Sequence, residues 1–259
     1  MIPYTRKTLP NGLTVVVNRD RASKLAAVNI LYRNENPART GFAHLFEHLM
    51  FRGTRTVENF DLPVQMASGD NNAFTNNDYT DFYITLPKDN LETALWLESD
   101  RMEGLDITPA KLEAEKKVVI EEFRQRYLNQ PYGDQTMLLR ALAYKVHPYR
   151  WAAIGLATDH IAGATLADVE SFYRTHYRPS NAILSISADM EEERMLELAE
   201  KWFAPLADHP SATAAIPQEP MQTQARRQEV ERDVPASTVT VAYHMCARTK
   251  PDFYTADLV

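Results

Sequence analysis

Gly41-Phe42-Ala43-His44-Leu45-Phe46-Glu47-His48-Leu49-Met50-Phe51 is an apolar run in which only His44, Glu47 and His48 ionise. Written as a helix, it brings the two histidines to one face, about 40° apart around the axis. Glu47 stands about 100° behind His48 on the same side, close enough to serve a water held there without being a ligand itself. The pattern is H-x-x-E-H, the reverse of the commoner H-E-x-x-H zinc helix. Five residues of this kind arise by chance in on the order of a per cent of chains, so the surroundings decide. Ionisable side chains in so apolar a helix are costly to bury unless they are paired or bound to metal.

A third ligand is available on a second helix, expected from Pro109 to about Leu128, with Thr108 as N-cap and Pro109 in the first helical position. At about 100° per residue, Leu112, Glu115, Val119, Glu122, Phe123 and Arg126 share one side, and Glu121 points almost opposite. The face therefore selects Glu122 as the ligand, and Glu121 reads as surface charge. Glu115, two turns earlier and nearly in line, can hydrogen-bond a ligand histidine.

The stretch Thr40-Gly41-Phe42-Ala43-His44-Leu45-Phe46-Glu47-His48-Leu49-Met50-Phe51-Arg52-Gly53-Thr54 closely resembles the pitrilysin-type zinc peptidases, the group that includes insulin-degrading enzyme and the mitochondrial processing peptidase. Leu9-Pro10-Asn11-Gly12-Leu13-Thr14-Val15 resembles the opening strand and turn of that family. Asn71-Asn72-Ala73-Phe74-Thr75-Asn76-Asn77-Asp78-Tyr79-Thr80 resembles its substrate-binding edge strand. Val118-Val119-Ile120-Glu121-Glu122 resembles the region of the distal ligand, with 73 residues between His48 and Glu122. Tyr144-Lys145-Val146-His147-Pro148-Tyr149 and Tyr177-Arg178-Pro179-Ser180-Asn181-Ala182 are similar to the bacterial zinc proteases of the group.

Two departures accompany the resemblance. The turn between Tyr32 and Gly41 is shorter than is usual in the family, and the family has two homologous α/β halves where this chain carries one. The expected division is an N-terminal zinc-binding peptidase domain over 1–206, a proline-rich linker over 207–235, and over 236–259 the beginning of a second, similar domain that stops early. Ser237-Thr238-Val239-Thr240-Val241-Ala242-Tyr243 alternates like the first strand of that second half, and Pro251 to Leu258 like the start of a helix.

Strands are expected at Leu13–Asn18, Ala26–Tyr32, Asp81–Leu86 and Ala182–Ala188. Helices are expected at Gly41–Phe51, Phe60–Ala67, Leu91–Gly104, Pro109–Leu128, Thr136–Tyr144, Leu166–His176 and Met190–Phe203. With a hairpin start at Asn11-Gly12, this predicts an α+β fold: one mainly antiparallel sheet with helices packed against it, forming one lobe of a two-lobed metallopeptidase. The stripe Leu91, Leu95, Trp96 and Met102 is core.

The formal net charge is −7 and offers no basic stripe to phosphates, which excludes nucleic acid as a partner. No run of about 18 apolar residues is long enough for a membrane span, and the N-terminus lacks a signal-peptide core. A soluble chain is expected, with bacterial cytoplasm and periplasm both open. Cys246 is the only cysteine and reads as a small hydrophobe. His147, His160, His176, His209 and His244 have no partner at ligand spacing. Glu191-Glu192-Glu193-Arg194 reads as the acidic first turn of a helix.

The residues thus predict one zinc ion per chain on His44, His48 and Glu122, a fourth position open to water, and Glu47 as the base. The resemblance implies a zinc endopeptidase acting on peptides or unfolded chains laid along Asn72, Ala73 and Phe74, an edge that reads otherwise as a plain structural strand. It also implies an arginine and a tyrosine supplied by the second half or a partner subunit, so the chain alone is expected to be slow or inactive. Two other readings stay open on the residues: a non-catalytic peptide-binding or assembly subunit, and a zinc-stabilised structural domain, which needs a fourth protein ligand.

Overall fold

The computed structural model describes residues 2–34, 40–209 and 215–258. The shortened turn falls largely on 35–39 and part of the linker on 210–214, both outside the described residues. In chain order the elements are β1 (Thr5–Thr8), β2 (Thr14–Arg19), β3 (Leu25–Arg33), α1 (Phe42–Leu49), α2 (Asp61–Met66), β4 (Asp70–Thr75), β5 (Tyr79–Pro87), α3 (Leu91–Glu103), α4 (Pro109–Phe123), α5 (Gln135–Ala143), α6 (Thr158–Ala162), α7 (Leu166–His176), β6 (Ala182–Ala188), α8 (Glu192–Phe203) and α9 (Phe253–Asp257).

The strands form one six-stranded sheet in the order β1-β2-β6-β3-β5-β4, and every pairing is antiparallel except β2 with β6. The expected α+β fold is the one observed. Side chains on alternate residues face opposite sides of a strand, and here the alternation is also one of polarity. Val15 and Val17, Val28 and Ile30, Phe82 and Ile84, and Leu184 and Ile186 are buried on the face against which α1, α3 and α8 pack. Asn18, Asn29, Ser185 and Ser187 lie on the other face, half-buried.

Strand β6 arrives late in the sequence yet sits between β2 and β3. The sheet is therefore completed only when residues from both ends of the lobe meet. Strand β4 is outermost and pairs with β5 alone.

Helix α1 is placed by its two ends. Gly41 has φ 90°, a left-handed conformation that disfavours any side chain. A Cβ there would lie 2.6 Å from the carbonyl oxygen of Ile154. Further along, Phe46 packs against Phe172 at 5.2 Å and Tyr177 at 5.0 Å between ring centroids, which fixes the apolar side of the helix. Helix α4 starts as its sequence predicts, with Thr108 Oγ1 accepting a hydrogen bond from Lys111 N–H at 3.2 Å. It differs at the other end: the α-helical ladder stops at Phe123, and Arg124–Leu128 winds as one wider π-helical turn.

Ser237–Tyr243 forms no strand, contrary to its alternation. A strand needs a neighbour to pair its backbone, and among the described residues this stretch has none; Val239 and Tyr243 are exposed. Residues 215–251 instead run without regular structure beside α5. Arg226 donates to the carbonyls of Leu142 and Ala143, and Glu219 accepts from the backbone N–H groups of Lys145, Val146 and His147. No helix among the described residues is long and apolar enough to cross a membrane.

One ion pair lies wholly in the core. Arg101 donates to Glu98 through Nε at 2.8 Å and Nη2 at 2.6 Å, and its guanidinium stacks over Phe60 at 4.4 Å and Phe82 at 4.2 Å. A bidentate pair of this kind holds while both partners are present, because neither charge has water to fall back on. Glu98→Ala is expected to lower stability by about 3–5 kcal/mol in urea unfolding. Adding Arg101→Met should restore most of it. A single variant within about 1 kcal/mol of the parent would show that the pair is not what holds this corner.

Candidate metal centre

His44 and His48 project from α1 towards α4, which lies alongside it. Glu122 Oε2 stands 3.6 Å from His44 Nε2 and 3.3 Å from His48 Nε2. One ligand atom from each of the three residues falls within 4.8 Å of the others, and no fourth His, Cys, Asp or Glu joins them among the described residues. Tetrahedral ligands at about 2.0 Å from zinc lie about 3.3 Å from one another, so the two measured gaps suit such an ion. The donor set, two imidazole nitrogens and one carboxylate oxygen, suits it too.

Glu121 is exposed and pairs with Arg124 at 3.6 Å, away from the histidines, as the helical face predicts. Glu115 is buried beside His48: its Oε2 is 3.5 Å from His48 Nδ1, and its Oε1 is 2.6 Å from Arg52 Nη2. His48 is thus flanked by a carboxylate on each ring nitrogen. Arg126 Nη2 reaches the other oxygen of Glu122 at 2.9 Å. Nδ1 of His44 is buried with no partner among the described residues.

The electrostatics follow from this arrangement. Burial, with His48 beside it, holds the His44 imidazole down to about 4 despite the nearby Glu122. Burial acts the same way on His48, but there Glu115 and Glu122 outweigh it and lift the value to about 9. The hydrogen bond from His48 is the main reason that Glu122 is held below the usual carboxylate range. Burial pushes Glu47 up, offset in part by a hydrogen bond with the side chain of Thr75. A half-buried carboxylate of raised pKa suits proton transfer.

Thr75 is the last residue of β4, so Glu47 adjoins the outer strand of the sheet. Asn72 and Phe74 on that strand are exposed, and Ala73 between them packs against the core. The N–H of Ala73 donates to Asn72 Oδ1 at 2.8 Å, so part of the free edge is capped by its own side chain. Sequence reasoning did not find Arg52 or Thr75. Arg52 continues the four-residue spacing of His44 and His48 but lies beyond the end of α1, and Thr75 has no periodic relation to the motif; the turn after α1 and the sheet edge bring them in.

A family description, insulinase (peptidase family M16), matches residues 18–152, and a second, the peptidase M16 inactive domain, matches 163–259. His44, Glu47, His48, Glu115 and Glu122 all lie in the first. The chain is 34% identical over 235 residues to a zinc protease, PqqE, of Helicobacter pylori, covering 87% of this chain and 53% of that protein. It is 27% identical over 261 residues to a probable mitochondrial-processing peptidase subunit beta of Arabidopsis thaliana, covering 96% and 48%. A protease from Helicobacter pylori of known crystal structure superimposes with a TM-score of 0.82 at 33% identity, over 86% of this chain and 56% of that one. The chain spans about half the length of the curated relatives it matches.

The opposed shifts of the two histidines can be measured by NMR on metal-free protein. His44 is expected to titrate at about 4 and His48 at about 9, so at neutral pH only His48 carries charge. Because folding raises the His48 value, its contribution to stability is complete below about pH 6.5 and disappears as the pH rises through about 9. Two midpoints near the unperturbed value would contradict the carboxylate pair around His48.

Proposed function

Since the chain belongs to the insulinase family (peptidase M16), we propose that it is the zinc-binding catalytic lobe of an endopeptidase. The relatives are named proteases and peptidases, which supports a peptidase function. One observation carries the finer reading: Glu122 Oε2 converges with both Nε2 atoms of the α1 histidines, while Glu47 stands next to them without joining the group. A structural zinc site would need a fourth protein ligand, and the described residues offer none.

In this reading His44, His48 and Glu122 hold one zinc ion, which when bound supplies Lewis acidity at a carbonyl and a water of lowered pKa. Glu115 accepts a hydrogen bond from Nδ1–H of His48, which keeps the ring proton on Nδ1 and leaves Nε2 free to ligate. Glu47 accepts the proton of the attacking water and passes it to the leaving amine. The raised pKa that burial gives Glu47 helps the second transfer, because a carboxylic acid must form before it can donate. The peptide lies extended along Asn72, Ala73 and Phe74, adding a strand to β4. For its backbone to bond Ala73 N–H, the side chain of Asn72 turns aside.

Residues 1–206 then constitute the peptidase domain, 207–235 a linker and 236–259 the start of a second domain. Relatives about twice as long support the view that a second lobe, in cis or as a partner subunit, completes the site. It would stabilise the developing oxyanion and close the cleft against water.

His44→Ala, His48→Ala and Glu122→Gln are each expected to abolish stoichiometric zinc binding, measured by competition with a chromogenic chelator; Glu121→Gln leaves it intact. Glu47→Gln retains zinc and loses about 10²- to 10⁴-fold in turnover in any active form. Loss of zinc from that variant would make Glu47 a ligand and overturn its role as base. The 259-residue chain by itself is expected to hydrolyse peptides poorly, and the homologous second lobe, added in cis or trans, to raise the rate. Full activity of the chain as a lone monomer would refute the need for that lobe.

A further inference from the structure

We propose that Arg126 is a positioning residue that restricts Glu122 to a single liganding oxygen, an inference that rests on the zinc reading given above. The Glu122 carboxylate is divided. Its Oε2 faces both imidazoles, at 3.3 Å and 3.6 Å, and its Oε1 accepts from Arg126 Nη2 at 2.9 Å. A charge-assisted hydrogen bond draws electron density from the oxygen that accepts it and fixes the rotation of the carboxylate plane. Oε1 is therefore the poorer donor and is turned away from the histidines.

Denticity matters at this site. Three protein atoms around zinc leave the fourth position of a tetrahedron to water, and a second carboxylate oxygen would crowd that position or make the site five-coordinate. Nothing on α1 prevents this, because the two histidines contact only Oε2. Arg126 stands on the π-helical turn that follows α4, one helical turn beyond Glu122 and on its outer side, with its side chain 65% exposed against 20% for Glu122. Its own packing contributes little, so its removal should change the carboxylate and leave the fold alone.

The same turn provides an internal control. Arg124 carries the same charge and pairs with Glu121, away from the histidines. Glu115 repeats the division on the other side of His48, with Arg52 on one oxygen and the imidazole facing the second. Each carboxylate that faces His48 is therefore held by one arginine.

The test is the visible spectrum of the cobalt-substituted chain, whose d–d absorbance falls when a four-coordinate site becomes five-coordinate. The parent is expected to show the intense four-coordinate spectrum. Arg126→Gln and Arg126→Ala should lose that intensity several-fold, with an additional oxygen neighbour in the X-ray absorption of the zinc form. Arg126→Lys, which still donates to Oε1, should keep the parent spectrum, and Arg124→Gln should do the same. Thermal unfolding of the metal-free variants should match the parent. Parent-like cobalt spectra in both neutral Arg126 variants would overturn the inference and leave the zinc reading standing. A parent chain that binds neither cobalt nor zinc would refute the zinc reading and this inference together.

Discussion

Each ring nitrogen of His48 faces a carboxylate of α4, and the rest of this site is arranged around that contact. Glu115 and Glu122 stand two turns apart on α4, a rise of about 10.5 Å, and their side chains reach the two ring nitrogens of His48 from opposite ends. This is possible only if α4 lies along α1. Arg52 and Arg126 then hold the outer oxygens of the two carboxylates. His44, one turn away on α1, meets only Glu122 and is the more buried, so the same surroundings keep it neutral.

The sheet and the aromatic residues behind α1 keep this contact in place. Phe46 points from α1 into a cluster with Phe172, Tyr173 and Tyr177, and Gly41 lets the chain enter the helix where a side chain would strike the Ile154 carbonyl. The opposite flank of α1 meets β4 and β5, so the motif helix lies beside the outermost strand. Proximity of a half-buried carboxylate, two imidazoles and the edge of the sheet is thus a property of the fold. Strand β6 ties the lobe together across its two family matches. It belongs to the segment matched by the second description, yet it sits mid-sheet between two strands from the beginning of the chain.

Most of the elements were legible in the sequence because their signals are local. Alternation marked β2, β3, β5 and β6, helical spacing marked α1, α3, α4, α7 and α8, and Thr108-Pro109 marked the start of α4. The failures have a common cause. Ser237–Tyr243 alternates like a strand and is not one, since pairing is a property of two segments and alternation a property of one. The π turn after Phe123 reads locally as more α-helix.

For the candidate centre, the sequence by itself determined which side chains share a face: His44 with His48, and Glu115 with Glu122, with Glu121 turned away. Helical geometry alone requires these, because a period of 3.6 residues applies whatever the helix packs against. Only the tertiary structure decided that the two faces meet, that His48 lies between two carboxylates, and that Arg52 and Thr75 are drawn in. It also decided that the neighbouring histidines are shifted in opposite directions from the ordinary imidazole value. Those outcomes depend on distances between segments far apart in the chain and on how much water burial removes, and neither quantity exists until the sheet and its helices have packed.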